Sequence, residues 1–389
     1  MNKLYDKILG CIAASQVGSA LGQPAENMTR EELKKEFGVI DRLLGFELNG
    51  ESYPPGTTED GVERQKLIIM AIQDKKGPPT CRDFAETWLR VVKEESFGKM
   101  AGAQDEIHYR VIKAGIPPEE SGQFDAHIGR TGWSRACHPI GIINAGHPEL
   151  AARNALDVGR IYQPPTGRGI LWKKDLKRLA PTYQIGLDWA AAVAAAVAAA
   201  FKPDATPDSM VEAALAYIVE PASEEIKRGL EIVTKAKDYE QVCVEFDARY
   251  RASGMHFSMN RGFEVVTKGI SLFYYFKGDV KATMLAAANF GRDTDCLASV
   301  SAGLAGALSG VSNIPREWMD QVNVAAKANK YTMMNLSLEE QAQVLYDSLM
   351  HWHATQKAGV EAIDLLNATL VAVNGNAAEG RAVVATAKA

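Results

Sequence analysis

GRDTDCLASVSAGLAGALSG, residues 291–310, is the stretch whose reading decides the fold. It follows an apolar, helix-like run ending at Phe290 and opens with two carboxylates, Asp293 and Asp295. Ala298, Ser301, Ala302, Ala305 and Ser309 then recur at helical spacing, with Gly303, Gly306 and Gly310 among them. Glycine in a helix interior costs about 1 kcal/mol relative to alanine, so its repeated use implies close approach by neighbouring backbones. The stretch predicts a helix at the centre of a bundle, its N-terminus opening into a central cleft. Residues two apart lie roughly 200° apart on a regular helix. Asp293 and Asp295 converge only if the first occupies a non-helical cap and the second the first turn. Each acid alone also suits the positive end of a helix dipole, worth about 0.3–1 kcal/mol.

Helix signals dominate outward from this centre. TTEDGVERQKLIIMAIQDKKGPP starts on polar capping residues and stops at Gly-Pro-Pro. CRDFAETWLRVVKEE follows Thr80 as N-cap, and TPDSMVEAALAYIV has Thr206 as N-cap with Pro207 at the first helical position. SEEIKRGLEIVTKAKDYEQVCVEFDARY, RGFEVVTKGISLFYYF, GDVKATMLAAANF and the segment from Ser337 to Val373 continue the pattern. No series of alternating strands is visible, and FYYF (273–276) has helical flanks. The expectation is all-α: one compact multi-helix domain over residues 1–373 with a C-terminal tail, 374–389. Its most irregular stretch, HIGRTGWSRACHPIGIINAGHP followed by YQPPTGRGILW, lies mid-chain, where Gly- and Pro-rich loops often line sites.

Composition excludes several classes. The chain has 389 residues, 43 Lys plus Arg against 48 Asp plus Glu, and no basic block, so no nucleic-acid partner is expected. LWKKDLKRL (171–179) reads as a solvated helix face. Five widely spaced cysteines without CxxC suggest neither a disulfide framework nor a zinc site. WAAAVAAAVAAAF (189–201) has 13 residues where a membrane span takes about 20, so it reads as a core helix. The N-terminal apolar run is broken by Ser15, Gln16 and Ser19 and reads as the first helix rather than a leader. The expected location is the cytoplasm, with no membrane partner and the oligomeric state open.

A second acidic cluster gives the first one meaning. TTED (57–60) again places hydroxyls and carboxylates at a helix start, after the turn-like YPPG, and Glu26 follows a Gly/Pro turn in GSALGQPAE. Carboxylates and a hydroxyl arriving from separate helix ends make a hard-oxygen site suited to Mg²⁺ or Mn²⁺.

GSALGQPAE, TTED, HPIGIINAG and GRDTDCLASVSAGLAGALSG followed by IPREW resemble the ADP-ribosylglycohydrolase family, in its order and spacing, over roughly residues 5–320. The resemblance implies an all-helical domain with a dinuclear magnesium, sometimes manganese, centre that hydrolyses N- or O-glycosidic bonds at C1″ of ADP-ribose. It implies Thr58, Glu59, Asp60, Asp293 and Asp295 as metal-site residues and Glu26 as the acid near the scissile bond. The chain also departs from the pattern. Ser19 stands where the family commonly has Asp, Glu59 where it has the first Asp of Thr-Asp-Asp-Thr, and Gly61 where that motif ends in Thr. Cys296 replaces the Thr of Asp-x-Asp-Thr, and TGWSRACHPIG replaces a Gly-Asn-Gly stretch. These changes leave carboxylates for at least one metal and put the second, and ADP-ribose itself, in question.

The expected cofactor is therefore Mg²⁺ or Mn²⁺, as one or two ions. The expected reaction is metal-dependent hydrolysis of the glycosidic bond at ribose C1 in a small ribosylated or nucleotide-like molecule, with Glu26 or Asp60 managing the proton. Two alternatives stand beside it: release of ADP-ribose from modified protein side chains, and a non-catalytic ligand-binding relative. Trp133, His138 and Tyr162 are candidate substrate contacts, each with a packing role as the rival reading. His127 is a weaker candidate of the same kind, and His351 and His353, two apart on a helix, diverge too far to share a metal.

Overall fold

The computed structural model describes residues 2–125, 129–164, 176–251 and 260–386, without the side chains of residues 103, 176–185, 251 and 367–386. Its frame is the pair formed by the N-terminal helix Lys3–Gly22 and the small-residue helix Thr294–Ser309, which lie against each other along their lengths. A Cβ on Gly306 would stand 2.1 Å from the carbonyl oxygen of Gly10, and one on Gly22 would stand 2.4 Å from that of Thr294. Backbone thus meets backbone at both ends of the pair, which only glycine permits. Between them the Ser15 and Ser299 hydroxyls share a buried hydrogen bond of 2.8 Å.

Around this pair pack helices Gly262–Tyr275 and Val280–Ala288, and the long helix Leu176–Ala200 lies behind. Trp189–Ala200, the alanine-rich run, is almost fully buried, so its smooth surface lets several helices approach at once. The architecture is all-α, with 17 α-helices among the described residues. No described helix is long and apolar enough to cross a membrane. Thr80 and Thr206 each close a capping box.

Two local features differ from the sequence reading. SEEIKRGLEIVTKAKDYEQVCVEFDARY divides into Ala222–Lys235 and Tyr239–Arg251, because Ala236 is extended and the Asp238 carboxylate accepts the Gln241 N–H at 2.9 Å, starting a new helix. A small antiparallel hairpin pairs Phe46–Leu48 with Glu51–Tyr53. Asn49 and Gly50 turn it with φ of 49° and 77°, the Asn-Gly requirement of a tight hairpin. The last helix, Leu338–Thr386, packs through Leu345 and Leu349, after which its described side chains through Leu366 are exposed except for the half-buried Trp352. His351 and His353 point to solvent.

Ala302 is fully buried where the two central helices meet; a Cβ on Gly18 would lie 3.3 Å from its methyl. Ala302→Leu is expected to cost about 1–3 kcal/mol by overpacking. It is also expected to weaken cation binding at the helix end without touching an acid, read by thermal melts and calorimetry; wild-type values in both would show that helix packing does not position the site.

Candidate functional site

Three chain segments meet at the N-terminal end of the central helix. Asp293 is its N-cap, in a non-helical conformation, and Asp295 lies in its first turn. Their convergence is therefore the cap-plus-first-turn arrangement that the sequence required. Asp293 makes no capping hydrogen bond, so helix capping does not explain it.

The second segment is the turn after the N-terminal helix, where a 3₁₀ turn Gln23–Ala25 leads into Glu26. Asn27 donates its N–H to Arg292 O at 2.9 Å, and Arg292 returns one to Met28 O at 2.6 Å. Both residues are left-handed, with φ of 71° and 70°, which costs on the order of 1–3 kcal/mol each for non-glycine residues. The two backbone bonds and the paired contact of Arg292 with buried Glu264 (2.7 and 2.8 Å) hold that conformation. The result clamps Glu26 beside Asp293.

The third segment starts the helix Asp60–Lys75. Thr58 is buried at its entry, and Glu59 is its N-cap, with Oε2 accepting the Gly61 N–H at 2.9 Å and Oε1 accepting the Ser19 hydroxyl at 3.0 Å. Asp60 accepts from Arg64 at 2.7 Å, and Arg64 reaches Asp105 through two further bonds of 2.8 and 2.6 Å.

Arg135 enters between these segments and was not among the residues expected at the site. Its guanidinium, 6% exposed, lies 2.7 Å from Asp295 Oδ2 and 2.5 Å from Glu59 Oε2, and also pairs with Asp60. The mid-chain loop delivers it: Arg135 N–H bonds to Thr131 O at 3.1 Å, and Gln65 Nε2 donates to Arg135 O at 3.0 Å. The signal available in the sequence was a pair of departures. A Cβ at Gly61 would lie 2.0 Å from Arg135 Nε and 2.3 Å from its Cζ, so the missing side chain at 61 and the arginine at 135 are one structural event.

This arrangement separates the acids. Burial works against ionisation of Asp60, yet the Arg64 and Arg135 guanidiniums hold its carboxyl well below the usual carboxylate range. The Asp295 charge first, and burial second, push Glu26 up to about 8. Burial, then the charges of Asp295 and Glu26, push Asp293 well above its ordinary range. Both Asp293 oxygens and Asp295 Oδ1 are buried without a hydrogen-bond partner. Asp293, Asp295 and Cys296 bring one ligand atom each within 4.8 Å of one another, a group that could hold a metal ion. Burial keeps the Cys296 thiol protonated, its pKa well raised, so the hard donors are the carboxylates. The residues present fit a cation at Asp293 and Asp295, whose free oxygens suit it. Glu59 and Asp60, expected among the ligands, already have N–H, hydroxyl or guanidinium partners.

Asp60, expected as an alternative proton carrier, is clasped by two guanidiniums, which favour its ionised form. It remains partly exposed to a cavity of about 120 Å³ whose lining includes Glu26, Arg64, Arg135, Asn260 and Asp293.

The three expected substrate contacts are packing residues. Trp133 and Tyr162 are 2% and 1% exposed and stack on each other with centroids 5.6 Å apart, beside Phe84. The Trp133 N–H is spent on Ala155 O. His138 is fully buried against Gly303, 3.0 Å from Arg135 O, and burial lowers its pKa to about 4, so it is a neutral support for the arginine loop. His127 lies outside the described residues.

An all-helical bundle with carboxylates gathered at one buried helix end is the architecture of a glycohydrolase class. The sequence profile of that class, ADP-ribosylglycohydrolase, matches residues 1–172 and 175–353, and the chain belongs to the ADP-ribosylglycohydrolase family. Among solved structures it is similar to one described as an ADP-ribosylglycohydrolase-related protein complex, with a TM-score of 0.61 at 17% identity over 90% of this chain and 100% of that one. That likeness speaks to fold alone. No curated protein matches the chain.

Proposed function

We propose that the protein hydrolyses the glycosidic bond at ribose C1 of a small ribosylated substrate, with Mg²⁺ or Mn²⁺ held by Asp293 and Asp295 and Glu26 beside them as the proton carrier. The observation that carries this reading is the set of three buried, unpartnered carboxylate oxygens on Asp293 and Asp295, beside Glu26 at one polar cavity. Isolated buried charges are costly, and a bound cation offsets that cost while orienting sugar hydroxyls and a water.

The residues themselves divide the remaining work. Glu26, with its carboxyl raised to about 8, carries a proton near neutrality and can pass it to the leaving group. Asp60, ionised between Arg64 and Arg135, keeps its remaining lone pairs to accept from a ribose hydroxyl while positive charge grows at C1. The clamp through Asn27 and Arg292 keeps Glu26 in place as that charge develops. The cavity, about 120 Å³, is small beside the roughly 300–1,000 Å³ of pockets that enclose a drug-sized ligand, and so suits a sugar ring. That favours small ribosides over ADP-ribosylated side chains.

The test is a comparison of free N-ribosides with ADP-ribosylated arginine and serine, each with Mg²⁺ and with chelator. Faster, cation-dependent turnover of a free riboside is expected. Comparable or faster release of ADP-ribose from the modified side chains would overturn the substrate preference, and turnover indifferent to chelation would overturn the cation.

A further inference from the structure

We propose that the Arg135 guanidinium is a built-in cation that occupies the Thr58–Glu59–Asp60 half of the cleft, so that this site takes one divalent ion rather than two. Arg135 bridges acids from two helix starts, pairing with Glu59 and Asp60 on one side and Asp295 on the other. Those contacts place its nitrogens in the space between the carboxylates. A magnesium ion there would need oxygens of the same groups at about 2.0–2.1 Å, and guanidinium and ion cannot both be accommodated.

Independent features show that the chain is built around this arginine. Gly61 leaves the volume that Nε and Cζ require, since a Cβ would fall 2.0 and 2.3 Å from them. Ser19 and the Gly61 N–H each donate to one Glu59 oxygen, so with Arg135 on Oε2 both oxygens of that carboxylate already have partners. Gln65 and His138 approach the Arg135 carbonyl oxygen at 3.0 Å each, fixing the loop from behind. Asp293 by contrast has no guanidinium contact and keeps two free oxygens. The arginine thus supplies a permanent, non-exchangeable charge on one side and leaves the other side for an ion. The count of one ion rests on the cation reading above; the exclusion at Glu59 and Asp60 does not.

Manganese stoichiometry with electron paramagnetic resonance separates the two. Wild type is expected to bind one Mn²⁺ with an uncoupled six-line spectrum. Arg135→Met, folded and measured in millimolar Mn²⁺, is expected to bind one more ion and show spin coupling between the pair. Two coupled ions in wild type, or no gain in folded Arg135→Met, would overturn the inference while leaving the cation reading intact. No ion in wild type but one in Arg135→Met would support the inference and overturn the cation reading. Asp293→Asn provides the arm that keeps Arg135 in place. It is expected to lose the single ion, and retention of a full equivalent would put an ion beside Glu59 and Asp60 and overturn the inference.

Discussion

Glu26→Gln is expected to lower kcat for riboside hydrolysis by about 10²–10⁴-fold, the usual contribution of a positioned proton donor, with a smaller change in KM. Glutamine keeps the shape of the side chain and can still accept from Gln23, which donates to Glu26 at 3.1 Å. What it lacks is the proton that the Asp295 charge and burial hold on Glu26 up to about pH 8. The pH profile gives a second reading. Wild-type kcat should fall on the alkaline side as Glu26 loses its proton, and the variant should lose that limb. A bound cation stabilises the carboxylate and moves the limb to lower pH, so the profile is to be recorded at fixed Mg²⁺. Wild-type kcat in Glu26→Gln would remove Glu26 from the chemistry.

In chelator, the melting temperature is expected to fall as pH rises from about 6.5 to 8. The sign follows from where protons sit. Glu26 has an ordinary value of 4.5 and a folded value of about 8, so between these the folded chain holds a proton that the unfolded chain has released. Stability is then full below 4.5 and is lost as pH climbs through 8. Asp293, also raised, adds to the same slope. His138 runs the other way: its folded value of about 4 lies below the ordinary 6.5, so its contribution is lost as pH falls through that interval. The two oppose each other below pH 6.5; above it the raised acids act, Asp188, pushed up to about 7 by burial, adding to the slope until it too has ionised.

Magnesium should flatten the decline, because the ion takes the place of the displaced protons. At a hundredfold excess over Kd it adds about 2.7 kcal/mol. An unfolding entropy near 0.8 kcal/mol/K for a chain of this length converts that to roughly 3 °C. The increment should be larger at pH 8 than at pH 6. Equal melting profiles with and without Mg²⁺ would show that no cation binds the folded cluster.

Much of this was legible in one dimension. Glycines and alanines spaced along residues 297–310 announced close helix packing, and the backbone contacts of Gly10 with Gly306 and of Gly22 with Thr294 are its realisation. Thr80 and Thr206 marked helix starts because capping is a bond between neighbours in sequence. The acids at 26, 59–60 and 293–295 could be read as converging because each stands at a helix end, and helix ends in a bundle gather at its faces.

What the chain by itself determined is the all-α bundle, its central helix and the gathering of acids at one end. Those properties depend on periodicity and capping, which act over a few residues. Only the tertiary structure decided how the acids are neutralised. Arg135 lies 75 residues from Asp60 and 160 from Asp295, and no local pattern sets which charges such a side chain will meet. The same holds for Trp133, His138 and Tyr162, whose loop positions suggested substrate contact. Packing under Phe84 and against Gly303 buried them, because apolar area removed from water outweighs what their polar atoms gain at a surface.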